Sequence, residues 1–277
     1  MGRKFIMKLN FGLENKVAVV TGGAGVLCSE ISMALSASGA KVAVLDLFEE
    51  KAKNLAEAIN KSGGEAIGVG VDVLKRESIQ KAADAVIAQW GRVDILVNGA
   101  GGNKPQATTG DELSFFDLPQ DAVQWVFNLN LMGTIMPSQV FSKYMANQKS
   151  GSIVNISSMA AFTPLTKTIA YSAAKAGISN FTQWLAVHLS QEYSPKIRVN
   201  AIAPGFLLTQ QNRFLLTNED GSSTERGGDI LRNTPMARYG DPSELCGAIV
   251  YLCSDIASFV TGIVLPIDGG FSAFSGV

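Results

Sequence analysis

Short runs of continuously apolar residues alternate along this chain with longer stretches whose apolar positions recur every three or four residues. The first kind reads as buried strand and the second as helix with one face on a core. VAVVT at Val17–Thr21 is a strand that ends at glycines, followed by a helix over residues 28–38 that Gly39 closes. KVAVLD at Lys41–Asp46 is a second strand, and residues 49–62 form an amphipathic helix stopped by Gly63 and Gly64. The rhythm continues with a strand over 65–71, a helix over 75–90 ended by Gly91, and a strand over 94–98. A long helical region over 121–148 precedes a strand at Gly151–Ile156, and a helix at Ile169–Glu192 precedes a strand over 197–202. Val264–Ile267 is expected to be a seventh strand.

Strands that are apolar along their whole length, separated by helices, imply a parallel sheet covered on both faces. The expected fold class is therefore α/β, a doubly wound, Rossmann-type parallel sheet of about seven strands in a single domain spanning 1–277. Residues 206–240 break the rhythm with NEDGSS, Gly227-Gly228 and Thr234-Pro235. Loops of that length in a compact domain are usually functional, so 206–240 is expected to be a lid insert over the active site. Residues 1–12 lack the apolar stretch of a signal peptide and are expected to be a loose extension, with folded sequence starting near Leu13.

Composition narrows the function classes. Of 277 residues, 47% are hydrophobic and 17% charged, which reads as folded rather than disordered. A net charge of −1 carries no basic footprint, so no nucleic-acid partner is expected. No apolar run approaches the ~18 residues of a membrane span, so no membrane partner is expected either. Three cysteines, Cys28, Cys246 and Cys253, are odd in number and spaced for neither a metal nor a disulfide framework. Reduced thiols in the cytoplasm and no metal site are the expectation.

Candidate chemistry centres on YSAAK, Tyr171 to Lys175, with Ser158 thirteen residues before the tyrosine. Residues four apart on a helix share a face, so the Lys175 ammonium can stand near the Tyr171 phenol. A nearby positive charge favours the phenolate and brings a tyrosine toward acid/base work at neutral pH. Ser158 is placed to hold the same substrate oxygen, with Ser157 as its rival. At the other end, TGGAGVLC runs from the first strand into its helix, where glycines let a pyrophosphate approach and the helix N-terminus favours its charge. Thr21, Gly22, Gly23, Gly25, Val26 and Leu27 are the candidates there. Asp46, 24 residues after Gly22, is placed for the adenosine ribose hydroxyls, with Leu47 beside it. No Arg or Lys lies in the glycine turn, and Asp46 is followed by LFEE, so NAD is expected over NADP. Asp72 and Val73 at the third strand end are placed for the adenine edge. Asn98, Gly99, Ala100 and Gly101 at the fourth permit a further close approach.

In order along nearly the whole chain, TGGAGVLC, Asp46, Asp72, NGAG, Asn130 in NLNLMG, Ser158 in NISSMAA, YSAAK, RVNAIAPG with Thr209, and IDGG resemble the short-chain dehydrogenase/reductase family. The resemblance implies a catalytic set of Asn130, Ser158, Tyr171 and Lys175. In that set the tyrosine is the general acid/base, and the serine orients the substrate oxygen. The lysine lowers the tyrosine pKa and holds the nicotinamide ribose, and the asparagine supports a water that relays protons. The family spacing favours Ser158 over Ser157. Pro204, Gly205, Phe206 and Thr209 would face the nicotinamide. One departure is visible: the family's TGxxxGxG has Val26 and Cys28 here at its last two glycine places, and Gly25 stands one residue early. The resemblance also implies a homotetramer, and the apolar tail FSAFSGV fits burial at a subunit contact.

Finer details, among them NGAGGNKPQATT, SSMAAFTPLTK, PGFLLTQQNRFLLTNEDGS and DGGFSAFSGV, resemble the D-mannonate oxidoreductase (fructuronate reductase) branch. The implied reaction is D-fructuronate with NADH giving D-mannonate and NAD, a step of hexuronate breakdown. Gluconate 5-dehydrogenase-like and other polyol dehydrogenases are the near rivals. A sugar acid needs donors for its hydroxyls and a cation for its carboxylate. Asn103, Lys104, Lys167, Gln210 and Arg213 are the candidates. His188, Trp184 and Phe181 are expected to serve packing or an interface. A non-catalytic dinucleotide sensor is the contrasting class, and the proton-transfer set argues against it.

Overall fold

The computed structural model describes residues 11–209 and 212–276. Its seven strands form one parallel sheet in the order β3-β2-β1-β4-β5-β6-β7. They are β1 (Val17–Thr21), β2 (Lys41–Asp46), β3 (Glu65–Gly70), β4 (Ile95–Asn98), β5 (Gly151–Ile156), β6 (Ile197–Pro204) and β7 (Val264–Ile267). The sheet is the doubly wound one expected. Alternation within each strand feeds two cores. Ala18, Val20, Val42 and Val44 join one, with Ile31, Leu35, Ile249 and Leu252. Val17, Val19, Ala43 and Leu45 join the other, with Ile79, Val86, Phe141, Met145 and Leu185.

The first core is covered by α1 (Val26–Ala37), α2 (Glu49–Lys61) and α9 (Cys246–Cys253), the second by α3 (Arg76–Trp90), α5 (Gly133–Gln148) and α6 (Ile169–Glu192). Helix α9 has no counterpart in the reading of the sequence. Its eight residues, CGAIVYLC, are apolar nearly all round and show no helical stripe. The helical region expected over 121–148 is instead α4 (Gln120–Phe127), one widened π turn at Asn128–Met132, and α5. Single π turns of this kind frequently mark functional positions. The 206–240 insert folds two short helices, α7 (Arg213–Leu216) and α8 (Glu225–Arg232). No helix among the described residues is long and apolar enough to cross a membrane.

Because β4 lies directly beside β1, the chain reverses its winding direction there. Ligands of open α/β sheets bind outside the carboxyl ends of the strands at such a switch point. The glycine turn after β1, Asp46, the NGAG segment, Ser158, Tyr171 and the turn at Pro204 and Gly205 all come to this one edge.

Candidate active site

A cleft of about 1230 Å³ opens along the carboxyl ends of the strands. That is larger than the ~300–1,000 Å³ typical of small-ligand pockets, leaving room for a dinucleotide and a substrate together. Gly22, Gly25, Val26 and Leu27 line it at one end, with Gly99, Ala100 and Gly101 beside them. Gly22 has φ +60°, and a Cβ there would stand 2.9 Å from Ala100 Cα. Gly25 donates to the Gly22 carbonyl at 2.9 Å and leads into α1. The Thr21 hydroxyl accepts from the N–H groups of Gly99 (3.1 Å) and Ala100 (3.3 Å), tying the two loops together. The loop is therefore a bare backbone cradle, which fits a pyrophosphate. Thr21, Gly23 and Asn98 shape it from behind rather than lining it.

Cys28 explains the departure in the glycine pattern. A Cβ on Gly99 would overlap the Cys28 sulfur. The helix still sits close on the sheet, with the missing side chain moved from the helix to the loop after β4. Burial pushes the Cys28 thiol up to about 12, so it is a neutral packing group.

Asp46 lines the cleft, its carboxylate accepting from the N–H groups of Ala24 (3.2 Å) and Phe48 (3.0 Å). Leu47 is exposed and outside the wall. Asp72 and Val73, expected at the adenine edge, are not in the wall: Asp72 accepts from Leu74 N–H at 3.0 Å and pairs with Lys75 at 3.1 Å, and Val73 is buried. This end also holds a cation that the reading of the sequence does not place there. Lys51 lines the cleft, its ammonium 4.8 Å from the centre of the Phe48 ring, so the surroundings of Asp46 are not purely negative.

Ser158, Tyr171, Pro204, Gly205, Phe206 and Thr209 line the cleft further along. Ser157, the rival serine, donates to the Lys175 carbonyl at 3.1 Å and shares a 2.8 Å hydrogen bond with Ser179, so its hydroxyl is committed. Lys175 stands behind the wall, 5% exposed, and donates to the Ile156 carbonyl at 2.7 Å. Its nitrogen is 5.5 Å from the centre of the Tyr171 ring. Asn130, in the π turn, donates to the carbonyls of Gly102 (2.7 Å) and Val126 (2.8 Å) and accepts from Gly102 N–H (3.2 Å). Its side chain is thus a clamp on the NGAGG loop.

The electrostatics differ from expectation in one respect. The reading of the sequence has Lys175 drawing the Tyr171 pKa down. Burial instead dominates and raises it, with the Ser158 hydroxyl pulling the other way. Burial also lowers Lys175, to about 8. Desolvation disfavours whichever form is charged, so a shared burial pushes phenol and ammonium both toward neutrality.

The substrate candidates fare unevenly. Asn103 lines the cleft, its amide donating to Thr108 at 3.0 Å. Lys104 is outside the wall with its ammonium 5.0 Å from the Trp125 ring centre. Lys167 and Arg213 are exposed and outside it. Gln210 lies outside the described residues. The wall holds Arg226 of α8 and Thr168 instead. Neither carries a sequence signal, because only the folding of the lid and the start of α6 bring them there. His188 is away from the cleft, stacked on Trp184 at 4.8 Å.

A family model described as enoyl-(acyl carrier protein) reductase matches residues 24–272. An uncharacterized oxidoreductase of Haemophilus influenzae is 49% identical over 97% of this chain and 97% of its own length. An uncharacterized oxidoreductase of Bacillus subtilis is 46% identical over 98% of this chain and all of its own. Among solved structures, a Haemophilus influenza protein provisionally called D-mannonate oxidoreductase, with bound NAD, superimposes with a TM-score of 0.91. It is 49% identical, over 96% of this chain and 98% of that one.

Proposed function

The chain belongs to the short-chain dehydrogenase/reductase family of NAD(P)-dependent oxidoreductases, and within it we propose an NAD-dependent enzyme that interconverts D-mannonate and D-fructuronate. The observation that carries this reading is that Ser158 and Tyr171 share the wall of one cleft with the bare glycine loop and Asp46. The substrate assignment is supported by the 49% likeness to the provisionally named D-mannonate oxidoreductase, and by Arg226, a lid cation in the same wall.

When bound, the dinucleotide supplies or takes up the hydride. Gly22, Gly25 and Val26 would hold its pyrophosphate, Asp46 its adenosine ribose, and Pro204 to Phe206 with Thr209 the nicotinamide end. In the reductive direction Tyr171 Oη would give its proton to the substrate carbonyl oxygen. Ser158 Oγ donates a hydrogen bond to that same oxygen and fixes its position. Lys175 braces the end of β5 through Ile156 and keeps a positive charge one helical turn from the phenol. Asn130 holds the loop whose Gly101 has no room for a side chain: a Cβ there would come within 2.7 Å of Asn130 Oδ1. Its support of a proton relay is therefore through loop and backbone position.

Residues 1–277 act in this reading as one oxidoreductase unit, with 206–240 as its substrate lid. We also propose a homotetramer in the cytoplasm. The exposed Trp184 and Val187 on α6, and free Cys28, Cys246 and Cys253, support it. Light scattering after size exclusion measures the assembly.

The test of function follows NADH absorbance with D-fructuronate, with the 5-keto form of gluconate and neutral ketoses as competitors. Preferred turnover of D-fructuronate supports the assignment. Better turnover of 5-ketogluconate moves the enzyme to the gluconate 5-dehydrogenase branch, and no turnover of any carbonyl favours a dinucleotide sensor.

A further inference from the structure

Among the described residues three buried side-chain polar atoms lack a hydrogen-bond partner: Asn98 Oδ1, Thr168 Oγ1 and Ser172 Oγ. Two of them flank Tyr171 at the start of α6. Buried polar groups are nearly always paired, and one that is not needs a reason. Thr168 is 9% exposed and lines the cleft, whereas Ser172 does not.

Two ordinary explanations fail for Thr168. It precedes the first residue of α6, where a threonine commonly caps the helix by accepting a backbone N–H. Thr168 makes no such bond. Thr224, in the same position before α8, accepts from Gly227 N–H at 3.0 Å, so the contrast lies within one molecule. Packing alone fails too, because valine has the same shape and leaves no hydroxyl without a partner. What remains is a polar group kept beside the reacting atoms. A threonine exchanges its hydroxyl and methyl between staggered χ1 wells, so the hydroxyl can turn into the cleft that the residue already lines.

We propose that Thr168 is a specificity-determining residue whose hydroxyl pairs with a substrate hydroxyl next to the carbon served by Ser158 and Tyr171. The site then takes carbonyl compounds hydroxylated beside the reacting carbon in preference to bare ketones. The inference rests on the oxidoreductase reading above and holds for a sugar acid and a neutral polyol alike.

Thr168→Val and Thr168→Ser test it, with thermal unfolding and steady-state kinetics on the best hydroxylated substrate and on its analogue deoxygenated beside the carbonyl. Thr168→Val is expected to keep or raise Tm while losing about tenfold to a hundredfold in kcat/KM on the hydroxylated substrate, the scale of one hydrogen bond. It should leave the deoxy analogue unchanged, and Thr168→Ser should restore most of the loss. A fall in Tm for the valine variant, an equal loss on both substrates, or no loss on either overturns the proposal. A wild-type protein that turns over no carbonyl compound brings down the oxidoreductase reading and this inference together. An active wild type with an unaffected valine variant brings down this inference alone.

Discussion

Lys175 Nζ donates to the Ile156 carbonyl at 2.7 Å, anchoring a buried ammonium to the end of β5. Burial lowers the Lys175 pKa from 10.5 to about 8. Below pH 8 the folded protein carries the full cost of the buried charge. Between about 8 and 10.5 the unfolded chain binds a proton that the folded one has released, so this residue's contribution to stability rises with pH. Above 10.5 the cost is gone. Lys175→Met removes the titration, so wild-type stability should gain on the variant by about 3 kcal/mol from pH 8 to 10.5. The Lys175 charge draws the Cys28 thiol down against the larger effect of burial, so the comparison is made in a Cys28→Ala background, where the raised pKa of Tyr171 is common to both proteins and cancels. Urea unfolding of both across that range measures it, and a constant gap would show that Lys175 does not titrate there.

Tyr171 is the complementary case. With its pKa raised by burial, the phenol is protonated at neutral pH and ready to act as an acid. Carbonyl reduction should therefore be insensitive to this group through neutral pH and decline only in the alkaline range. Alcohol oxidation, which needs the phenolate, should rise with pH over that same range. Tyr171→Phe should lose about 10²–10⁴-fold in kcat in both directions. Fluorescence titration should find NADH affinity little changed, and undiminished turnover would remove Tyr171 from the mechanism.

How much of this was legible in the sequence depends on how locally each feature is determined. The strands and α6 follow from short patterns, so the spacing of Ser158, Tyr171 and Lys175 carries directly into space. Helix α9 carries no polar face and so no period to read. The π turn at Asn130 emerges only from the hydrogen bonds that pull its side chain toward Gly102. Ion pairing sorts part of the lid: Arg232 pairs with Asp229, and Arg238 with Glu244. Arg226 on α8, by contrast, comes to the cleft and Arg213 on α7 does not, although the two short helices pack together. Desolvation of Tyr171 and Lys175 is likewise a property of the assembled site and reverses the pKa direction that charge proximity alone suggests.

Gly99 faces Cys28, and a methyl group there would meet both its sulfur and the Thr21 carbonyl, the latter at 2.9 Å. Gly99→Ala should cost about 1–3 kcal/mol, the range for overpacking. Adding Cys28→Ala should recover part of that loss, because one of the two obstacles is gone. Chemical denaturation of the two single variants and the double variant gives the coupling. Strict additivity would mean that the cysteine does not set the spacing between helix α1 and the loop.

Asp46 accepts from the Ala24 and Phe48 N–H groups, which hold its carboxylate in the cleft wall. A 2′-phosphate placed against it would meet a fixed negative charge, so kcat/KM with NADP should fall about tenfold or more below that with NAD. Asp46→Ser should narrow the gap. Lys51, in the same wall, should supply what NADP use remains, so Lys51→Ala in the Asp46→Ser background should lower it again. Wild-type kinetics favouring NADP would overturn the assignment of Asp46 to the ribose hydroxyls.

Arg226 is the lid arginine that lines the cleft, and among the described residues it has no ion-pair partner. A guanidinium matches a carboxylate bidentately, and charge-assisted pairs of this kind contribute ~1.5–3 kcal/mol. Arg226→Ala should therefore raise KM for D-fructuronate about tenfold to a hundredfold, with a much smaller effect on a neutral ketose of the same length. Arg226→Lys should restore charge without the fork and recover only part of the loss. Arg213→Ala, removing an exposed cation outside the wall, is the control and should leave both substrates unchanged. NADH affinity, measured separately by fluorescence, distinguishes a carboxylate partner from a pyrophosphate one. Weaker NADH binding with equal losses on acid and neutral substrates would assign Arg226 to the cofactor instead.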